Sequence, residues 1–188
     1  MQEKQLWLLV LAAVLALAAA AVVPRAGAGA KRSTASARLV ALRRATVVQI
    51  EQRRDEAWRW LRLMNKPLPP YGRSAARSIS LDYDRWVLGL WTRRARVARQ
   101  QAMHPPHRDA WLCIHSVEAS WNDPRPPYYG GLQMDYGFQQ TYGSELLRRK
   151  GTADHWTPLE QMWVAERAFR SGRGFWPWPN TARYCGVL

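Results

Sequence analysis

Glu118 is the side chain whose type and position best suit acid–base chemistry. It follows Trp111 and Ile114 at three- and four-residue steps, so an apolar stripe on a helix predicted from residue 110 to about 119 leads to a carboxyl group, with Trp121 soon after. Asp109 is predicted to cap this helix. Apolar neighbours raise the pKa of a carboxyl, as a general acid at neutral pH requires. The pattern indicates a general acid; a solvated side chain at a helix end is the competing interpretation.

A glycine-rich turn follows the candidate acid. Residues 126–134 read PPYYGGLQM, which predicts a turn that enters a short extended segment. Gly130 and Gly131 allow a ligand or another backbone to approach closely, and the Gln133 amide can both donate and accept hydrogen bonds. These residue types are typical of a binding loop.

Further helices are predicted to frame this turn. One is indicated by apolar residues that recur every four positions: Phe138, Tyr142 and Leu146. Thr157 and Glu160 form a capping box, and the helix that they open is predicted to end at residues 171–172. Trp176 and Trp178 are predicted to pack the end of the chain near its last cysteine rather than to line a groove.

Residues 1–30 are predicted to form a signal peptide or a membrane anchor. An unbroken apolar run covers residues 6–23 after Lys4, and small residues follow that suit cleavage. A run of this length is just enough to span a bilayer, so an uncleaved anchor stays open. Arg25 and Lys31 oppose an external position under the positive-inside rule, which weighs against anchoring more than against export. We expect a secreted or cell-envelope protein.

Cys113 and Cys185 are the only cysteines of the chain. An even pair in an exported chain predicts a disulfide, and two free buried thiols are the alternative. The four histidines form no zinc-binding spacing with these cysteines. We therefore predict no metal and no cofactor.

The net charge of +14 indicates an anionic partner or surroundings, and it is unevenly distributed. Residues 31–110 hold 18 Lys or Arg against six Asp or Glu, whereas residues 1–30 and 111–188 each carry +1. Apolar periodicity predicts helices over residues 38–64 and 82–101. We expect this region to attach the protein to an anionic wall polymer or a membrane surface; charges that merely face water are the alternative. No nucleic-acid-binding motif accompanies the arginines, so no nucleic acid is expected.

Several segments together resemble the transglycosylase-like domain of actinobacterial resuscitation-promoting factors. They are residues 113–121 (CIHSVEASW), 128–133 (YYGGLQ), 165–167 (AER), and the closing WP and CG pairs at 178–179 and 185–186. The resemblance implies a small lysozyme-like α+β fold that acts on peptidoglycan, with one catalytic acid and a disulfide.

The resemblance also implies roles for individual residues. Glu118 matches the family's catalytic glutamate, and Gln133 matches a residue of the glycan groove. Tyr128 and Tyr129 align with the loop beside that groove, and Trp121 is a candidate to stack on a sugar. Peptidoglycan glycan strands are thus the expected partner.

The chain departs from the family at two places. Residues 123–127 (DPRPP) replace the usual Asn-Thr-Gly-Asn-Gly, so a substrate-binding threonine has no counterpart, and residues 138–139 (FQ) replace a common Thr-Trp pair. These departures alter substrate contacts but leave the acid in place. Glu166, outside them, is predicted to form an ion pair, with Arg167 or Arg170 as candidate partners.

The implied reaction cuts the bond between N-acetylmuramic acid and N-acetylglucosamine, with Glu118 protonating the glycosidic oxygen. A muramidase would use a second carboxylate, for which Asp123 and Asp135 are candidates, although roles in a turn and in a helix cap compete. A lytic transglycosylase needs none, because the C6 hydroxyl of the muramic acid itself attacks. We predict a lytic transglycosylase or muramidase, with a non-catalytic wall-glycan-binding module as the alternative.

The predicted organisation has three parts. Residues 1–30 form the signal or anchor helix, residues 31–110 a basic helical or linker region, and residues 111–188 the catalytic domain. The predicted fold class is α+β: a small lysozyme-like, mostly helical domain with a short β segment, preceded by the basic helical region.

Overall fold

The structure is a computed structural model that describes residues 26–70 and 80–188, with side chains from residue 34 onward. The described residues are mostly helical with one two-stranded sheet, which is compatible with the predicted α+β class. The apolar run at residues 6–23, predicted to be a signal or anchor, lies outside the described residues. Across the part of the chain that the structure describes, no helix is long and apolar enough to cross a membrane.

The helices and strands follow one another along the chain with short connections. They are α1 (Ala26–Leu63), α2 (Leu81–Ala102), α3 (Arg108–Glu118), β1 (Tyr128–Tyr129), β2 (Met134–Asp135), α4 (Tyr136–Tyr142), α5 (Ser144–Lys150), a 3₁₀ turn (Ala153–His155), α6 (Pro158–Ala168), a π-type turn (Phe169–Arg173) and α7 (Pro179–Tyr184). The chain divides into two compact units, Met1–Ala45 and Thr46–Leu188. The described part of the first unit is the helical segment 26–45.

Both helices predicted in the basic region are confirmed. Within the second unit, α1 buries Ile50 and Ala57 against Val87, Trp91 and Ala95 of α2. The two α1 positions are seven residues apart, and the α2 positions follow one another at four-residue steps, a spacing that keeps them on one helix face. The α1–α2 hairpin therefore has an apolar seam of its own.

The end of the hairpin packs against α6. Met64, Ala98 and Ala102 form a buried cluster with Trp163, whose indole N–H donates to the Ala102 carbonyl at 2.7 Å. Arg167 of the same helix donates to the Leu63 carbonyl at 2.9 Å. The position between residues 110 and 111, predicted as a domain boundary, thus lies within the compact unit Thr46–Leu188.

Helix α6 lies in the main core of the second unit. The predicted capping box begins it: the Thr157 side chain accepts from the Glu160 amide, and the Glu160 carboxylate accepts from the Thr157 amide. Glu166 is fully buried and accepts from the Trp111 indole at 2.9 Å and from the His107 amide at 2.8 Å.

Three sequence predictions meet a different local structure. Helix α3 begins at Arg108 with His107 at the N-cap, so Asp109 lies in the first turn and does not cap it. The helix predicted from residue 138 to 146 is broken at Gly143, because a Cβ there would lie 2.6 Å from the Trp156 ring. The ion pair predicted for Glu166 reaches Arg170 at 3.9 Å, but its closer partners are the two N–H donors on and beside α3.

Candidate active site

Glu118 is the last residue of α3, and a hydroxyl from α7 holds its carboxylate. Trp111 and Ile114 bury the inner face of α3, as the stripe predicts, and Ala119 leaves the helix in extended conformation. Glu118 itself is half-buried, and its Oε1 accepts from the Thr181 hydroxyl at 2.7 Å. The surroundings of this carboxyl therefore include a polar donor besides the expected apolar side chains.

A disulfide joins the same two helices. Cys113 on α3 is bonded to Cys185 directly after α7, which confirms the predicted pairing. The Cys185 amide donates to the Thr181 carbonyl at 2.9 Å, so the bridge lies one helical turn from the hydroxyl that holds Glu118. Disulfide and hydrogen bond together fix α3 relative to α7 at the candidate acid.

The glycine turn is held from behind by one buried amide. Gln161 of α6 accepts from the Gly131 amide at 2.8 Å and donates to the Trp121 carbonyl at 2.7 Å. A Cβ at Gly130 would lie 2.5 Å from Gln161 Oε1, and one at Gly131 would lie 2.5 Å from His115 Nδ1. Side chains of the protein thus make the close approach that the two glycines allow.

Gln133 closes this turn in a left-handed conformation, with a φ of 47°. Its amide nitrogen donates to the Gly130 carbonyl at 2.9 Å and to Asp123 at 3.2 Å. Asp123 is buried and receives two Arg125 N–H groups, each at 2.8 Å. The Arg125 guanidinium lowers the pKa of Asp123 to about 2. Asp123 therefore stays ionised at neutral pH and serves to hold the loop.

A polar groove of about 440 Å³ opens beside the sheet. Tyr128 pairs with Asp135 across β1 and β2, and both line this groove together with Gln133. Asp135 also caps α4, because its carboxylate accepts from the Phe138 amide at 2.7 Å. The cap role weighed for Asp135 is therefore confirmed.

Other groove residues were not singled out in the sequence. They come from α4, from the π-type turn and from the segment before α7: Thr141, Tyr142, Arg173 and Trp178. The Ser171 hydroxyl, and after it Arg173, lower the pKa of Tyr142 below its ordinary value. No spacing pattern connects residues from such separate elements, so only the fold reveals them.

Trp178 connects the groove to the candidate acid. It is buried, lines the groove, and donates its indole N–H to the Leu132 carbonyl at 2.6 Å. Its own carbonyl accepts from Thr181, the partner of Glu118, at 3.4 Å. Trp178 thus packs as predicted but also forms part of a groove wall, whereas Trp176 is 62% exposed and does not pack the chain end.

The remaining predicted site residues lie outside the described groove lining. Tyr129 is half-buried against the main core, and Trp121 stacks on the His115 ring with centroids 3.9 Å apart. Glu118 is connected to the groove through Thr181 and Trp178 and is not itself among the lining residues.

Among the described residues, no group of three or more His, Cys, Asp or Glu side chains could hold a metal ion. Comparisons of the chain with protein-family models, with curated proteins and with solved structures find no match. The chemistry of the site is therefore argued from its side chains and from the motifs in the sequence.

Proposed function

We propose that this chain is a peptidoglycan-cleaving enzyme with a lysozyme-like domain, in which Glu118 is the general acid and base. The observation that carries the proposal is the Glu118 carboxylate, held by Thr181 at 2.7 Å where α3 and α7 are joined by the disulfide. The resemblance to the transglycosylase-like domain of resuscitation-promoting factors supplies the reaction. The disulfide supports an exported protein, because such bonds persist in oxidising compartments.

The adjacent groove supports binding of a glycan strand. The exposed ring of Tyr128 offers a face on which a sugar can stack, and Arg173 offers a positive charge to the carboxylates of muramic acid or its peptide. Gln133 uses its amide N–H groups within the turn, so its side-chain oxygen is the atom available to a sugar hydroxyl.

In the proposed reaction, Glu118 protonates the glycosidic oxygen and an oxocarbenium-like transition state forms. Thr181 is a positioning residue that orients the carboxylate. Asp123 is bound to Arg125, and Asp135 caps α4, so both candidate second carboxylates already have structural partners. This favours a lytic transglycosylase over a muramidase: the C6 hydroxyl of muramic acid attacks, Glu118 takes its proton, and an anhydro sugar end results.

The test is digestion of purified peptidoglycan by the full chain, with mass spectrometry of the released muropeptides. We expect anhydro ends, and a loss of at least about 100-fold in rate for Glu118→Gln, as general acid–base catalysis requires. Glu51→Gln, an exposed carboxylate of α1, is the matched control and should stay within about twofold. Undiminished cleavage by the folded Glu118→Gln variant would refute the assignment, and reducing ends would replace transglycosylase by muramidase.

A wall-glycan-binding module without catalysis is the second candidate. It is favoured by the position of Glu118 outside the groove lining and by the Asp123–Arg125 pair in the loop where the family has a substrate-binding threonine. In the same assay this candidate predicts that wild type and Glu118→Gln both sediment with peptidoglycan and that neither releases muropeptides.

We further propose that the basic residues 31–110 hold the enzyme against an anionic wall polymer or a membrane surface. Many of these arginines are exposed in the described part, as attachment requires. Replacing four exposed arginines of this region by glutamine should reduce retention on cell envelopes more than cleavage of soluble glycan fragments. Equal losses would contradict the proposal.

A further inference from the structure

A second cavity, of about 650 Å³, lies where the end of α1 meets α5 and α6. We call it the cationic cavity. Its apolar surface comes from Trp60, Leu63 and Leu159, among other side chains. Its charged lining consists of five cations and two carboxylates: Arg59, Arg62, Arg149, Lys150, Arg167, Glu145 and Glu160. All of them belong to the compact unit Thr46–Leu188.

The carboxylates of the cavity leave a surplus of positive charge. Glu145 pairs with Arg149 at 3.4 Å, and Glu160 pairs with Lys150 at 2.7 Å. Within the described part of the chain, no ion pair neutralises the other two rim cations, whose guanidinium groups lie over tryptophan rings: Arg59 over Trp60 and Arg62 over Trp58.

The remaining cation, Arg167, is largely withdrawn from water. Its terminal nitrogens donate to the carbonyls of Tyr142 at 2.8 Å and Leu63 at 2.9 Å, which are neutral acceptors. Burial lowers the pKa of the Arg167 guanidinium, because the charged form loses hydration. Its Nε, and Nε1 of Trp60 in the same lining, are buried without an acceptor among the described residues. The cavity thus holds a partly desolvated cation and two unused donors.

We propose that the cationic cavity binds a carboxylate carried on an apolar body, as in a short acidic peptide segment. An anion near Arg167 offsets the cost of burying that cation, and the guanidinium groups of Arg59 and Arg62 match the planar geometry of a carboxylate. The apolar surface favours a peptide over a phosphate polymer, which has no side chain to fill it. This site is separate from the Glu118 groove and does not depend on cleavage.

The test is fluorescence anisotropy of the full chain with a dye-labelled eight-residue peptide of alternating leucine and glutamate. We expect saturable binding that weakens about tenfold in the double variant Arg59→Gln, Arg62→Gln, since hydrogen bonds between charged groups are lost. The matched control is Arg96→Gln, Arg99→Gln, which removes two exposed charges of α2 outside the cavity and should change the affinity less than twofold. The same peptide with glutamine in place of glutamate should bind at least about tenfold more weakly.

Three outcomes would overturn the proposal. One is the absence of saturable binding by the glutamate peptide, or equal binding by the glutamine peptide. Another is an equal loss in the two double variants, which would mean diffuse attraction to the whole basic surface. The third is tighter binding of a glycerol phosphate polymer that disappears in the Arg59, Arg62 double variant, which would assign the site to phosphate.

Discussion

Replacing Gln161 by methionine tests whether one buried amide holds the glycine turn beside the groove. Its oxygen accepts from Gly131, and its nitrogen donates to the carbonyls of Trp121 and Ala153 at 2.7 and 2.8 Å. Methionine has a similar length and fits irregular space, so Gln161→Met removes the hydrogen bonds with little change in volume.

The expected loss follows from what each partner keeps. The buried Gly131 amide loses its acceptor, which costs about 1–3 kcal/mol. The Trp121 carbonyl loses a donor, at about 1 kcal/mol more. The Ala153 carbonyl still accepts from the Trp156 amide at 3.0 Å, so it adds little. The free energy of unfolding should therefore fall by about 2–4 kcal/mol.

The assay is urea unfolding of the full chain, followed by tryptophan fluorescence. Gln161→Met should lower the unfolding midpoint with an unchanged dependence on urea, and Gln140→Met, an exposed position of α4, should stay within about 0.5 kcal/mol of wild type. A loss for Gln161→Met as small as that of the control would refute the reasoning, because the turn would then not depend on this amide.

Three further predictions concern the elements around the site. Replacing Cys113 and Cys185 by serine should reduce the free energy of unfolding by about 4 kcal/mol in urea unfolding, since the bridge closes a 72-residue separation. Because Arg125 lowers the pKa of Asp123 to about 2, this carboxylate stabilises the fold above about pH 4 and loses that effect as the pH falls through 2; the difference in urea midpoint between wild type and Asp123→Asn should shrink over that range. Gly131→Ala should destabilise by about 1–3 kcal/mol in the same assay, because the Cβ would overlap the side chains behind the turn.

The elements of this fold that carry local signals could be predicted from the sequence. Periodicity indicates the long helices, and the Thr157 capping box marks the start of α6. Which face of α2 is buried could not be predicted, because alanine is compatible with both surroundings. The structure buries Ala95 and Ala98, while Trp86 and Val97, assigned to the apolar side by size, are 57% and 46% exposed.

The candidate site shows the same division between local and distant information. The stripe that ends at Glu118 and the pairing of the two cysteines are visible in the sequence. The roles of Thr181 and Gln161 are not, since each contacts residues 30 or more positions away. A buried glutamine within an apolar helix is the one signal that could have marked Gln161, because such a polar group needs partners.

The contact between the α1–α2 hairpin and α6 constrains how the chain can vary in evolution. Trp163 fills the space that Ala98 and Ala102 leave free, and its indole binds the backbone carbonyl of Ala102. A larger side chain at either alanine requires a smaller one at position 163, so these positions are expected to change together in related chains. The basic hairpin and the domain with the candidate acid therefore cannot be exchanged between proteins as independent modules.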